Sequence, residues 1–573
     1  MNTLVKTSPA AVLATLLLLA PAPSALAQKQ WNANDGNWSD GENWSPTGAP
    51  TTGNVVFGTN SQSTDPTIDV TVSGAATVGQ LFVDFGKTVN LQFTSGSSLS
   101  TGTQLWQLNT KYITSPEAPS PAASHLNLYG PGTGTATVSA YAFQLGGGSV
   151  DAGGSTLTFS GPGLIVKNSP SGGSATVVGR SSNGNVLSVE NGANVTLHGL
   201  WISQSTVAGQ GYKDNRAVVD NASLTINGGA GNSGLYIGSL RTDPGSSTYE
   251  NGLQNNSLTI TNNGKVTVTT GNQGSSAGPI RIGFTANARS NFLSVNGGGE
   301  LLITSSNALH IGDTSPTNPI TNRGGNMVTI GNGGTVRTNG IISVNPYDTT
   351  VQNDGMNRLL IESGGKLYSS NTVTVHGLLR LEEGGILDGQ TPAGTAASLA
   401  LSIEDGALFE AAGSGLGKNV NTTIKGGTLS VGVDGHATAA TLTLASSLTF
   451  ADKPGTLSLS LFSDGTADSI AFASTGSLIL NNTSLMLTLE DYNPQAGDSW
   501  TLFTGQTGNI TGLFDLSMLP TLAEGLEWDT STFNTAGEWR IAVIPEPGTT
   551  GLAALSLSCI LLFGAAKRRL VLI

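Results

Sequence analysis

The sequence predicts an all-β chain whose body is a right-handed parallel β-helix, a β-solenoid, with a C-terminal β cap domain. Three observations predict it. A short phrase recurs six times at nearly constant spacing. Apolar and polar residues alternate with period two through runs of three to five residues, the pattern of strands with one buried face. No segment of the body carries an amphipathic helical period.

The first element is a leader. Lys6 gives a small positive n-region, Ala10 to Ala20 is apolar, and Pro21 and Pro23 break the run. Ala25-Leu26-Ala27 then forms an A-x-A cleavage site. Residues 1–27 therefore read as a secretory signal peptide, removed before Gln28 and outside the fold.

Residues 28–58 form a separate Trp-rich N-terminal cap. Trp31, Trp38 and Trp44 punctuate Asn- and Asp-Gly-rich turns, and Val55-Val56-Phe57 follows as a strand. Two readings apply to the three tryptophans. They are candidates for stacking on sugar rings, and they are candidates for plugging the open end of a solenoid core; the second is preferred.

Residues 59–439 carry the solenoid repeats, clearest over 185–387. The phrase is Asn, one or two residues, an alternating apolar triplet and a Gly-rich turn. It reads Asn185 with Leu187-Ser188-Val189, Asn221 with Leu224-Thr225-Ile226, and Asn256 with Leu258-Thr259-Ile260. It continues as Asn291 with Leu293-Ser294-Val295, Asn326 with Val328-Thr329-Ile330, and Asn357 with Leu359-Leu360-Ile361. The first apolar positions stand 37, 34, 35, 35 and 31 residues apart. Later strands such as Leu235-Tyr236-Ile237, Ile280-Arg281-Ile282 and Leu309-His310-Ile311 end on glycine, which supplies the positive φ of a tight turn. A unit of about three short strands cannot bury its own apolar face, so neighbours must stack. The recurring Asn is expected to form an inward ladder at the turns. The alternative is a chain of β-sandwich modules, which needs roughly 80 to 100 residues per module and less regular repetition. At about 4.8 Å per rung, roughly 11 to 15 rungs between residues 60 and 440 give a rod on the order of 50 to 75 Å.

From 440 to 543 the strands become more conventional. Thr441 to Leu444, Leu457 to Leu461, Ser484 to Leu489 and Glu538 to Val543 read as a small C-terminal β-domain. Such a domain would cover the unpaired edges and apolar core at the end of the stack. Residues 544–573 are a terminal signal: Pro545-Glu546-Pro547, an uncharged apolar run over 549–566, then Lys567-Arg568-Arg569. Eighteen residues at about 1.5 Å each give roughly 27 Å of helix, a membrane-crossing length. The basic cluster would stay cytoplasmic, leaving the body outside the cytoplasm.

Composition narrows the function. The chain has 24 Lys and Arg against 37 Asp and Glu; without the four basic residues and the one acid at its two ends, 20 and 36 remain, near −16. An acidic, sparsely charged body lacks the basic patches that nucleic acid or an anionic membrane surface needs. The lone cysteine, Cys559, lies in the terminal apolar run, so the body has no disulfide.

The termini and the repeats carry two resemblances. Pro545-Glu546-Pro547, the apolar span and Lys567-Arg568-Arg569 resemble the PEP-CTERM sorting signal of Gram-negative bacteria. This implies export by the general secretion machinery, an inner-membrane-anchored intermediate, cleavage near Pro-Glu-Pro by an exosortase-type enzyme, and release to the cell surface or extracellular matrix. The apolar residues Leu570 to Ile573 after the arginines extend the usual basic finish. The Trp-rich opening and the repeats resemble autotransporter-associated β-strand-repeat passenger regions. This second resemblance implies a stacked extracellular body and no particular activity, and no outer-membrane barrel follows the repeats.

The sequence carries little that points to catalysis. Glu382-Glu383 is an adjacent acidic pair, but acidic residues are thinly spread through the repeats and form no cluster of the kind a glycoside hydrolase uses. His125, His198, His310, His376 and His436 show no metal-ligand spacing, and no serine nucleophile has a placed base. Gly146-Gly147-Gly148-Ser149-Val150-Asp151 approaches a calcium β-roll phrase, but without tandem copies. The reading is an exported structural or adhesive protein, not an enzyme, with no cofactor or metal and with exopolysaccharide as a candidate partner. The alternatives are a secreted β-helix polysaccharide lyase or hydrolase, and an uncleaved membrane-tethered periplasmic scaffold.

Overall fold

The structure, a computed structural model, describes residues 28–546 apart from 59–65, 109–121, 147–152, 169–173, 205–211, 228–233, 239–252, 270–279, 284–287, 313–323, 346–354, 434–435, 534–538 and the single positions 85, 103, 305, 307 and 506. The expected signal peptide, with Ala25 and Ala27, lies outside the described residues. So do the expected membrane segment 549–566, Pro547, Lys567, Arg568 and Arg569, and most of the calcium-like phrase. Among the described residues no helix is long and apolar enough to cross a membrane.

The described chain is all-β, and its strands stack in long parallel sheets, the pairing of a β-solenoid. Through most of the body the chain visits three sheets in turn. One coil runs through Val186–Glu190 in sheet 1, Asn194–Leu197 in sheet 2 and Leu200–Ile202 in sheet 3. The next repeats the order with Arg216–Asp220, Ser223–Ile226 and Leu235–Ile237, each parallel to its counterpart below. Sheet 3 has 18 strands and sheet 2 has 11 among the described residues. Sheet 1 runs from Asp35–Asn37 to Phe514–Asp515, and no pairing joins these two ends, so it is an open ladder and not a barrel. Its thirteen strands among the described residues between 60 and 440 give about 60 Å at the parallel-strand spacing.

Period-two alternation decides what the core contains. Leu187 and Val189 point inward from sheet 1, Val195 and Leu197 from sheet 2, and Leu200 and Ile202 from sheet 3, all fully buried. Exact register stacks like on like: Leu258, Leu293, Val328 and Leu359 form one inward column, and Ile202, Ile237, Ile282, Ile311 and Val344 another. Each such side chain removed from water contributes about 1.5–3 kcal/mol. The result is a single apolar cluster extending from Trp31 to Val543.

One repeat aligns differently from the sequence phrase. Leu187 pairs with Ala217, not Leu224, and Ala217 pairs with Leu258. Leu224 belongs to sheet 2, beside Val195 and Val266. The true spacing is therefore 30 and then 41 residues, and the ladder asparagine of this coil is Asn215. Ala217 is a weak apolar signal inside Arg216–Asp220, whereas Leu224-Thr225-Ile226 mimics the phrase.

Sheet 3 departs from simple alternation. In Leu200–Ile202, Leu235–Ile237 and Ile280–Ile282 the outward middle residue is buried as well. Trp201, Tyr236 and Arg281 stand in one outward column, with Trp201 and Tyr236 packed edge to face at 5.7 Å and the Arg281 guanidinium 5.6 Å from the Tyr236 ring.

The change of sequence texture at 440 is not a change in pairing. Sheets 1 and 3 continue through Gly455–Leu461, Thr483–Leu489, Ser477–Ile479 and Ile510–Thr511. The third side passes from Ile386–Gly389 through the isolated bridges Leu387 to Leu416 and Gly413 to Leu442. It resumes as Thr441–Leu444, Ser469–Phe472 and Phe503–Gly505. The antiparallel part is smaller, comprising Ser499–Thr501, Leu526–Asp529 and Arg540–Pro545. It packs Trp539 and Phe533 against Phe503 and Phe514 at the last rungs.

The coils are also joined by a polar ladder in the corner between sheets 3 and 1. Asn185, Asn215, Asn256, Asn291, Asn326 and Asn357 are essentially unexposed. From Asn215 onward, each Oδ1 accepts the backbone N–H of the preceding ladder asparagine, at 3.0 to 3.3 Å. At four of the five steps the preceding Nδ2 donates to it too, at 2.8 to 3.0 Å. Ser155 and Ser124 continue the ladder toward the N-terminus. The amides close against glycines that need left-handed backbone: Gly283 has φ +62°, and a Cβ there would sit 2.0 Å from Asn326 Oδ1. Gly283→Ala is therefore expected to cost about 1–3 kcal/mol. A lowered urea midpoint would show this; an unchanged midpoint would mean that the corner relaxes.

Candidate functional site

At the N-terminal end, the outer face of sheet 1 carries a polar trough of about 600 Å³. Its walls come from Asp35, Gly36, Asp69, Val70, Thr71, Asn90, Gln92 and Tyr129. Strand register builds it. Asp35, Asp69, Asn90 and Asn127 lie directly above one another, and Asn37, Thr71, Gln92 and Tyr129 form a second column two residues along. The columns are about 7 Å apart by strand rise, and the rungs about 4.8 Å.

The first column is fixed by its own hydrogen bonds. Asn127 Nδ2 donates to Asn90 Oδ1 at 2.9 Å, and Asn90 Nδ2 donates to Asp69 Oδ1 at 2.7 Å. In the second, Gln92 Nε2 donates to the Gly130 carbonyl at 3.1 Å. Asn37 Oδ1 accepts from Ser73 Oγ at 2.8 Å and Ser39 Oγ at 3.2 Å. The trough thus offers carboxylate and amide acceptors beside the Tyr129 hydroxyl. These groups suit recognition by hydrogen bonding.

The three tryptophans take no part in it. Trp31, Trp38 and Trp44 are 0%, 3% and 1% exposed. They pack edge to face, at 4.8 Å between Trp31 and Trp44 and 5.0 Å between Trp38 and Trp44, over Phe57. Trp44 Nε1 donates to the Trp38 carbonyl at 2.9 Å. Buried rings have no free face for a sugar, so the stacking role suggested for them is corrected: they fill the end of the core.

Of the sorting residues, Pro545 ends the strand Arg540–Pro545 opposite Leu526, and Glu546 donates its N–H to the Gly525 carbonyl at 2.9 Å. The end of the body is thereby held up to the first two residues of Pro545-Glu546-Pro547.

The histidines are dispersed. His436 makes the most elaborate contact: Nε2 lies 3.0 Å from Oδ1 of the fully buried Asp468, and Nδ1 lies 2.7 Å from the Val433 carbonyl. Asp468 also accepts the backbone N–H groups of Ala440 and Ser460, each at 2.8 Å. Both ring nitrogens of His436 face acceptors, which suits an imidazolium clip and leaves no nitrogen to act as a base. Burial by itself would lower the His436 pKa. The hydrogen bond and charge of Asp468, with the Val433 carbonyl and Glu490, outweigh burial and raise it. His310 goes the other way: burial first, then the charge of Arg281, pushes it down to about 4. Of the acidic pair Glu382-Glu383, Glu382 accepts the Ser363 N–H at 3.3 Å. It lies one rung from Glu362, whose pKa is raised by burial and by the charge of Glu382. Among the described residues no group of three or more His, Cys, Asp or Glu is gathered as a metal-binding set.

The two histidines set opposite pH slopes. His436, raised in the folded state, stabilises fully below its unfolded pKa near 6.5, and that contribution is lost as pH rises through its folded value. His310, lowered to about 4, resists protonation in the fold, so its contribution is lost as pH falls from about 6.5 toward 4. Stability from this pair is therefore expected to peak near pH 6.5. His436→Gln should flatten the alkaline limb of the unfolding midpoint against pH, and His310→Gln the acid limb. Unchanged limbs would contradict these assignments.

The trough was not apparent in the sequence. Asp35, Asp69 and Asn90 are separated by 34 and then 21 residues, so no fixed period connects them. Compared with known protein families and with curated proteins, the chain matches none.

Proposed function

We propose that this is an exported structural or adhesive protein of the bacterial cell surface or extracellular matrix, sorted by a PEP-CTERM-type signal and cleaved by an exosortase-type enzyme. The observation that carries the reading is the uninterrupted stack: one core and one asparagine ladder joining rung to rung in a chain with no disulfide-forming body. Such a stack suits a rigid spacer whose Ser-, Thr- and Asn-rich outer faces repeat, which favours weak multivalent contact with exopolysaccharide. The coil is read as right-handed, the hand that parallel crossover connections almost always take. The role is mechanical and adhesive, not catalytic; the His436 and Asp468 pair is spent on clipping a turn.

Cleavage near Pro545-Glu546-Pro547 and beyond Glu546 fits this reading, since Pro545 and Glu546 pair with the last antiparallel strands. Replacing Lys567, Arg568 and Arg569 together by Ala tests the sorting. Surface-exposed protein on intact cells, read by antibody labelling, should fall several-fold, with the protein remaining in other fractions. Undiminished labelling would contradict a role for the basic cluster in sorting.

A further inference from the structure

The trough has what a carbohydrate chain requires and lacks what a charged ligand would require. Its long direction follows the stacking axis, because both lining columns run across rungs and not along a strand. A linear ligand laid there would meet a new pair of polar groups about every 4.8 Å. The internal bonds from Asn127 to Asn90 to Asp69 hold the first column in one arrangement before any ligand arrives, which lowers the ordering cost of binding. Asp35 is exposed and Tyr129 partly so, and both line the cleft, where a ligand would meet them. Carboxylates accept strongly from hydroxyl groups, and a phenol both donates and accepts. No lysine, arginine or histidine lines the cleft. With two carboxylates in its wall and a body near −16, it would repel uronate, sulfate or phosphate groups.

We propose that this trough is a binding site for a neutral, hydroxyl-rich glycan strand lying along the solenoid axis. Asp35 and Asp69 accept sugar hydroxyls, Tyr129 caps the far end, and Gln92 and Thr71 line the side. The inference deepens the adhesive reading and rests on it for its biological setting; the site itself is tested separately.

The test is titration calorimetry of the purified full-length protein with cellohexaose, maltohexaose and hexagalacturonate, with and without calcium. At least one neutral hexaose should bind without calcium, and hexagalacturonate should bind at least about tenfold more weakly. Asp35→Ala should weaken the neutral ligand about tenfold or more, as loss of a charge-assisted hydrogen bond does. Tyr129→Phe should weaken it a few-fold. Ser430→Ala, on the same sheet far along the stack, should leave it unchanged. Because Asp35 is exposed, its variant should keep the wild-type circular dichroism. The proposal is overturned if neither neutral hexaose binds at millimolar concentration, if the uronate binds equally well, if binding requires calcium, or if Asp35→Ala has no effect. Antibody labelling of cells carrying Asp35→Ala separates the two readings: normal surface display with no glycan binding by the wild type would leave the sorting intact and remove only the site.

Discussion

Replacing Asn291 with leucine is expected to destabilise the protein by about 3–5 kcal/mol. The substitution removes the acceptor of two donors, the Asn256 N–H at 3.1 Å and Asn256 Nδ2 at 3.0 Å. It also removes the Nδ2 that donates to the Leu253 carbonyl at 2.9 Å. All of these groups are buried, and a buried donor left without a partner costs about 1–3 kcal/mol. Asn291→Ser should cost less, since Ser155 already fills the equivalent place by accepting the Ser124 N–H. Urea unfolding measures both. Equal losses for Leu and Ser would mean that side-chain volume matters at this corner and the ladder does not. A loss under about 1 kcal/mol for Leu would mean that water replaces the amide.

Trp44→Ala is expected to have an effect of similar size, about 3–5 kcal/mol for a fully buried tryptophan. The indole touches Trp31, Trp38 and Phe57, and among the described residues no further coil lies beyond it to refill the space. The loss should be local in origin. Hydrogen exchange should quicken first in Lys29–Trp31, Val55–Phe57 and Leu81–Val83, the first parallel strands of sheet 3. Uniformly faster exchange as far as Phe514 would instead mean that the stack unfolds as one unit.

The parts of the fold that the sequence revealed are those governed by period and register. Leu187, Leu258, Leu293, Val328 and Leu359 read as equivalent from their spacing, and all lie in one inward column of sheet 1. Asn185, Asn256, Asn291, Asn326 and Asn357 recur in the sequence phrase, and they belong to the buried ladder. Asn221 was not equivalent; it is a left-handed turn residue with φ 46°. The signal that identifies Asn215 is position: each ladder residue stands two before the first inward residue of its sheet 1 strand, as Asn215 does before Ala217. The covered column of Trp201, Tyr236 and Arg281 was hidden because alternation reports one buried face and gives no information on whether the other is covered. The trough depends on which outward residues fall on adjacent rungs. Unequal coil lengths hide that until the register is known.

The claim that this is a sorted, released surface protein is tested most directly by the intact mass of the mature chain recovered from the cell surface and medium, in cells with and without their exosortase. The account predicts a chain beginning at Gln28 and ending just beyond Glu546, found outside the cell only when the exosortase is present. A chain retaining residues through Ile573, confined to the inner membrane in both strains, would contradict it and make the protein a tethered scaffold.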